Sequence, residues 1–198
     1  MITLSRSRIV VAAVVALVLA ACATRQDMEA PEGTVRIAPT LFMTLPKPSD
    51  LGRSVETTQL VTAHYRDKTF VFEGHISATP EQFLLVGLDP TGNRALTLTW
   101  TDQKLSVETA STLPSQLHPE NMLADIVILC WPEDSLRRAL AGSTGVLTVT
   151  PNRRSITVDG KEVIRADYQT TDPWNGSMIY RNIAWGYELD VQSAEQGR

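Results

Sequence analysis

One helical run interrupts a chain that otherwise alternates. Residues Pro119 to Gly142 read PENMLADIVILCWPEDSLRRALAG, the only convincing helical stretch beyond the N-terminal segment. Pro119 and Pro132 each stand where a first helical residue tolerates a fixed φ and a missing N–H. Glu133 and Asp134 fall in the first turn of the second helix and Arg137 and Arg138 in its last, which suits the helix dipole. Gly142 is the expected stop. The first helix is apolar almost all round, through Met122, Leu123, Ile126, Val127, Ile128, Leu129 and Cys130, so it is expected to be buried. The rival is a strand through Asp125–Trp131, suggested by β-branched Ile126, Val127 and Ile128. Length and the opening proline favour the helix.

On both sides of this run the pattern has period two. Gln59–Tyr65 reads as a strand, followed by a turn at Arg66-Asp67-Lys68. Phe70, Phe72 and Ile76 share a face of the next, with Glu73 and His75 opposite. Phe83–Leu88 follows and ends in the turn Asp89-Pro90-Thr91-Gly92. Leu96, Leu98 and Trp100 alternate with threonines, and Lys104–Thr109 closes a first block of five strands. A second block holds Val146–Thr150, Arg153–Val158 and Glu162–Tyr168, with hairpin signals at Asp159-Gly160 and Asn175-Gly176. A long last strand is expected to carry Ile183, Trp185, Tyr187, Leu189 and Val191 on one face. Polar outer faces mean a sheet covered on one side. The fold class expected is α+β, mostly β: an unclosed antiparallel half-barrel of about 9–11 strands with a helical lid.

The N-terminus reads as a processing segment. Arg6 and Arg8 are its basic region, and Ile9–Leu19 is an apolar run too short to span ~30 Å of hydrocarbon comfortably. Leu19-Ala20-Ala21-Cys22 resembles the bacterial lipobox, which implies cleavage before Cys22 and acylation of Cys22. By the same resemblance Ala23, standing where an inner-membrane retention signal would carry Asp, implies the outer membrane, on its periplasmic face. The domains expected are a signal peptide over 1–21, a lipidated Cys22 with a proline-rich tether over 22–50, a body over 51–193 and a tail over 194–198. Leu41, Phe42, Met43 and Leu45 interrupt the tether and are expected to dock on the body.

The chemistry implied is sparse. The chain has a formal charge of −4, and loss of Arg6 and Arg8 makes it more acidic, a poor balance for nucleic acid. With Cys22 lipidated, Cys130 stands alone and reads as a small buried hydrophobe. No nucleophile elbow, phosphate loop or zinc-protease motif is present in the sequence. His64, His75 and His118 lie far apart in sequence, although His64 and His75 could meet across adjacent strands. No cofactor or metal is expected. Asp125 is the odd residue, a carboxylate in an apolar helix that is costly to bury unpaired. It is expected to face a polar edge with Asn121 or to meet an arginine. Trp100, Trp131, Trp174 and Trp185 read as core that doubles as cavity wall.

The order of elements resembles the lipoprotein localisation factors of Gram-negative bacteria (LolA/LolB-like), a soluble periplasmic carrier and its outer-membrane receptor. Leu85-Val86-Gly87-Leu88-Asp89-Pro90-Thr91-Gly92 resembles the receptor's strand and turn. Pro132-Glu133-Asp134-Ser135-Leu136-Arg137 resembles its lid helix. The whole chain also resembles a lipoprotein family associated with gene clusters for aryl polyene or related lipids. Asn121-Met122-Leu123-Ala124-Asp125, Trp174-Asn175-Gly176, Tyr180-Arg181-Asn182 and Gly186-Tyr187-Glu188-Leu189 carry that likeness. The resemblance implies an apolar cavity under the lid. The expected lining is Phe70, Phe72, Leu84, Val86, Leu96, Leu98, Trp100 and Trp185, beneath Met122, Ile126 and Leu129. It implies an acyl or aryl polyene ligand, membrane lipids as partners through Cys22, and a soluble LolA-like carrier. The receptor's exposed inserting Leu is replaced here by Thr91, so general lipoprotein insertion is not expected. The expected function is lipid binding without catalysis. Two other readings stay open: an accessory acyltransferase or thioesterase using Asp125 or a histidine, and a structural lipoprotein with a filled interior.

Overall fold

The computed structural model describes residues 33–111, 113 and 117–196; the readings on 1–21 and on Cys22 lie outside them. Two strands come first, β1 (Thr34–Ala38) and β2 (Leu41–Thr44), followed by a 3-10 helix at Pro48–Leu51. The first block is β3 (Val55–Tyr65), β4 (Lys68–Ala78), β5 (Gln82–Leu88), β6 (Arg94–Thr101) and β7 (Leu105–Thr109). Helices α1 (Pro119–Cys130) and α2 (Glu133–Ala139) follow. The second block is β8 (Val146–Thr150), β9 (Arg153–Val158), β10 (Lys161–Tyr168), β11 (Gly176–Asn182) and β12 (Tyr187–Glu195).

Ten strands form one antiparallel sheet in the order β7-β6-β5-β4-β3-β12-β11-β10-β9-β8. Its end strands β7 and β8 do not pair with each other, so the sheet is an open half-barrel with two helices, as the alternation implies. Each block is a meander of neighbouring hairpins. The blocks join only where β12 lies on β3, in a register running from Tyr187↔Tyr65 to Glu195↔Thr57. Asp159 and Gly160 both take positive φ, the two-residue turn expected between β9 and β10.

The inner face of the sheet, α1 and the β1–β2 hairpin share one core. In α1 the residues Leu123, Ala124, Val127, Ile128, Leu129 and Cys130 are all buried. That settles the helix against the strand. The last carbonyls of α1 find partners on the second block. Arg154 donates to Ile128 O and Trp131 O at 2.8 Å each, and Tyr168 Oη donates to Leu129 O at 2.8 Å. Helix α2 carries the expected acidic first turn and basic last turn, with Pro132 one place earlier as its N-cap.

Four readings need correction. The tether is shorter than expected, because the chain belongs to the body from Thr34 on: Leu41 and Met43 dock as expected, each 0% exposed, and Ile37, at 1%, docks with them. Apolar side chains on so short a hairpin are covered by α1 and held by Asn182 Nδ2, which donates to Ile37 O at 2.8 Å. The tail from residue 194 is partly strand, since β12 runs to Glu195 and Gln196 N donates to Glu56 O at 2.7 Å. The last strand starts at Tyr187, four residues later than expected, because Ile183–Gly186 is a turn that follows a separate strand, β11. Trp185 N donates to Asn182 Oδ1 at 3.1 Å, Gly186 N donates to Asn182 O at 2.8 Å, and Gly186 has φ 71°. Leu84 and Val86 point to the outer face. The β4–β5 hairpin pairs Ala78 with Phe83 and Ile76 with Leu85, which makes the odd-numbered residues of β5 the inner ones. A strand apolar on both faces leaves its register to the turn.

Candidate functional site

A cavity of about 570 Å³ opens between α1 and the middle of the sheet. That volume falls within the range typical of ligand pockets. Cross-strand register arranges its wall in rows. Phe70, Ala63 and Leu189 form one row across β4, β3 and β12, and Phe72, Val61 and Val191 form the next. Further in, Gly74, Gln59 and Ser193 close the floor, where Gln59 Nε2 donates to Ser193 Oγ at 3.0 Å. At the other end stand Tyr65 and Tyr187. At ~3.3–3.4 Å per residue, β3 covers roughly 20 Å from Tyr65 to Gln59. Met122, Ile126 and Leu129 of α1 form the roof, and Arg36, His64, His118 and Asn121 add polar groups to the lining.

The expected lining residues divide into three groups. Phe70, Phe72, Met122, Ile126, Leu129 and Trp185 line the cavity. Leu96, Leu98 and Trp100 lie on the same sheet face but outside that lining, opposite Gly87, Leu85 and Phe83 in packed core. Leu84 and Val86 are on the other side of the sheet. Val61, Ala63, Leu189 and Val191 complete the wall. Ala63 carried the weakest signal, because a small side chain in an alternating strand does not advertise a binding surface.

Asp125 is the site's least expected member. It is buried, and it meets neither the polar edge nor an arginine. Tyr180 Oη donates to Oδ1 at 2.6 Å, and Tyr187 Oη donates to Oδ2 at 2.7 Å. Asn182 Nδ2 supports Tyr187 Oη at 3.4 Å. Burial pushes the carboxyl up to about 7, and the two tyrosine hydrogen bonds pull in the opposite direction. Both tyrosines are themselves pushed well above the ordinary phenol range, first by burial and then by the Asp125 charge. The partners come from β11 and β12, distant in the chain.

The remaining chemical candidates are separated. Along β3–β4, His64 sits opposite Thr69 and His75 opposite Thr58, so the two histidines do not meet. His64 Nε2 lies 3.5 Å from Asp190 Oδ2, and His75 Nε2 lies 2.7 Å from Glu73 Oε1. Cys130 is buried and its thiol is pushed up to about 12, chiefly by burial, which keeps it un-ionised and unreactive. Among the described residues no cluster of three or more His, Cys, Asp or Glu could hold a metal ion. No helix among them is long and apolar enough to cross a membrane.

The arrangement is an apolar slot with a polar end and one buried acid. It can desolvate a hydrocarbon chain. Comparison with curated proteins yields no match. The sequence model of the family described as "Protein of unknown function (DUF3261)" matches residues 56–195, β3 to the end of β12, and the chain belongs to that family.

Proposed function

We propose that this protein is a lipid-anchored binding protein of the outer membrane's periplasmic face, which holds an acyl or aryl polyene chain for transport or assembly. The supporting observation is the slot between α1 and strands β4, β3 and β12, whose two middle rows are wholly apolar. Each buried CH₂ contributes ~0.8 kcal/mol, so a long chain binds without a dedicated polar contact. The headgroup rests by the polar lining groups Arg36 and His118. Acylated Cys22 provides the anchor, because stable attachment needs more than one chain. A soluble LolA-like carrier is the delivering partner in this reading, and no bond is made or broken.

Native mass spectrometry of the Cys22→Ala protein tests the slot. Bound acyl lipid is expected in the parent and is expected to be lost in Ala63→Phe, which fills the slot while the fold persists. Leu98→Trp is the contrasting variant. It enters packed core and is expected to cost about 1–3 kcal/mol in a urea melt. A parent that never carries lipid rejects the reading.

Fractionation tests the anchor. The wild type is expected with outer membranes and Cys22→Ala in the soluble fraction or uncleaved. Recovery of fully soluble wild type, with no lipid mass on Cys22, would sink it.

A further inference from the structure

Asp125 occupies the roof of an apolar slot, and among the described residues its side-chain partners are two hydroxyls, those of Tyr180 and Tyr187. Its ionisation is set by burial and by Tyr180 and Tyr187. The other titratable groups on the cavity lining are Arg36 of β1, His64 and Tyr65 of β3, and His118 ahead of α1. Glu120 lies in the first turn of α1, and Arg154 of β9 and Tyr168 of β10 bind the carbonyls at its far end. None of these contributes to the balance at Asp125.

Asp125 keeps 6% of its surface exposed and lines the slot, so water there can solvate the carboxylate. A hydrocarbon chain laid against it expels that water and offers no dipole in return. Desolvation of this kind disfavours the charged form of an acid. The neutral form fits the same pocket. Its new O–H donates to one tyrosine oxygen while the other tyrosine still donates to the remaining carboxyl oxygen. An anionic headgroup at this depth would face the carboxylate directly. It is consequently placed at the outer end, near Arg36 and His118.

We propose that the ligand segment lying against Asp125 is an uncharged hydrocarbon chain, and that its entry is coupled to proton uptake by the Asp125 carboxylate. The coupling rests on the slot being the ligand site, and it makes loading a pH-dependent event. Proton and ligand promote each other's binding by the same factor, as linkage requires.

Decanol is a suitable probe, since it carries a chain and no group that titrates in this range. Isothermal calorimetry of the Cys22→Ala protein reads affinity and, in two buffers of different ionisation enthalpy, the protons taken up. Affinity is expected to fall by about tenfold for each unit of ligand-induced shift as pH rises from about 5.5 to about 8.5. Fractional proton uptake is expected at the upper end of that range. Asp125→Asn is expected to bind with the low-pH affinity throughout and to take up no proton. His64→Gln and His118→Gln are expected to keep the wild-type slope. The buffer comparison needs no variant, so it decides the matter even where Asp125→Asn folds poorly. Decanol binding that is independent of pH, with no proton uptake, overturns the coupling and leaves the slot intact. A slope that survives in Asp125→Asn or vanishes in a histidine variant also overturns it. Absence of decanol binding at every pH rejects the slot, and the coupling with it.

Discussion

Trp131→Ala is expected to lose about 3–5 kcal/mol, the range for removing a large aromatic side chain from a close-packed interior. Trp131 sits where α1 ends and the chain turns into α2. Its backbone N–H still donates to Val127 O at 3.0 Å, while its own φ and ψ, −74° and 153°, are already extended. That bend sends the indole inward, where it is 0% exposed. Its ring centroid lies 5.8 Å from Phe83, 5.6 Å from Trp100 and 6.2 Å from Trp174. The indole N–H donates to Lys47 O at 3.3 Å, which ties the approach to the 3-10 helix into the same cluster. Alanine would remove three ring contacts and leave a void among residues from both blocks of the sheet. A domain with a total stability of 5–15 kcal/mol has little margin for such a loss. Trp185→Ala is the internal comparison. That ring is half-buried and stacks on Tyr187 alone, at 6.4 Å, so its removal is expected to cost distinctly less. Urea melts of the two variants measure the difference, and equal losses would show that the four-ring cluster has no special weight.

Asp125→Asn is expected to raise stability at alkaline pH, an unusual outcome for a buried polar residue. An acid with a folded-state pKa of about 7 and an ordinary value of 3.8 is bound more tightly by protons in the folded chain. Stability from this group is therefore complete below about pH 4, falls as pH rises towards about 7, and is level above that. At ~1.4 kcal/mol per unit, the loss is on the order of 4 kcal/mol across that window. Asparagine resembles the protonated acid in shape and in presenting a donor group beside an acceptor oxygen, although its NH₂ carries two N–H donors, and it never ionises. At about pH 8 the variant is expected to melt roughly 8–16 °C above the wild type, given ~2–4 °C per kcal/mol for a chain of this size. Near pH 4 the two should melt together or the variant slightly lower. Thermal melts at the two pH values decide it. A variant less stable than the wild type at pH 8 would mean that the tyrosine hydrogen bonds outweigh desolvation.

The alternation of β3, β4 and β6 was legible because each has one apolar and one polar face, and the hairpin at Asp159-Gly160 was legible from two residues. β5 was not. Phe83, Leu85, Leu84, Val86 and Leu88 are apolar on both sides, so only the turn at Thr79 fixes which side is inner, through Thr79 N donating to Gln82 O at 2.8 Å. The break between β11 and β12 was hidden by Ile183, Ala184 and Trp185, which continue the alternation in both directions. Its signal was Asn182 followed by Gly186. The docking of Leu41 and Met43 was legible from their apolar run, but their pairing with β1, whose residues pack against α1 and Asn182, was not announced by any local pattern. Asp125 was legible as an anomaly. Its resolution was not, because the tyrosines that hold it stand 55 and 62 residues away in the chain.

The pairing of β12 with β3 has a consequence for how the chain reaches this state. Each meander can form from neighbouring segments, but the seam between them joins Thr57 to Glu195, nearly the whole length of the body. Closing so long a loop is entropically costly and slows folding. Until the last strand is in place, β3 and β11 both present unpaired edges, the kind of surface on which chains aggregate. The final strand thus acts as a zip fastener between the two halves, and a chain lacking it would hold two sheets with no strand pairing between them.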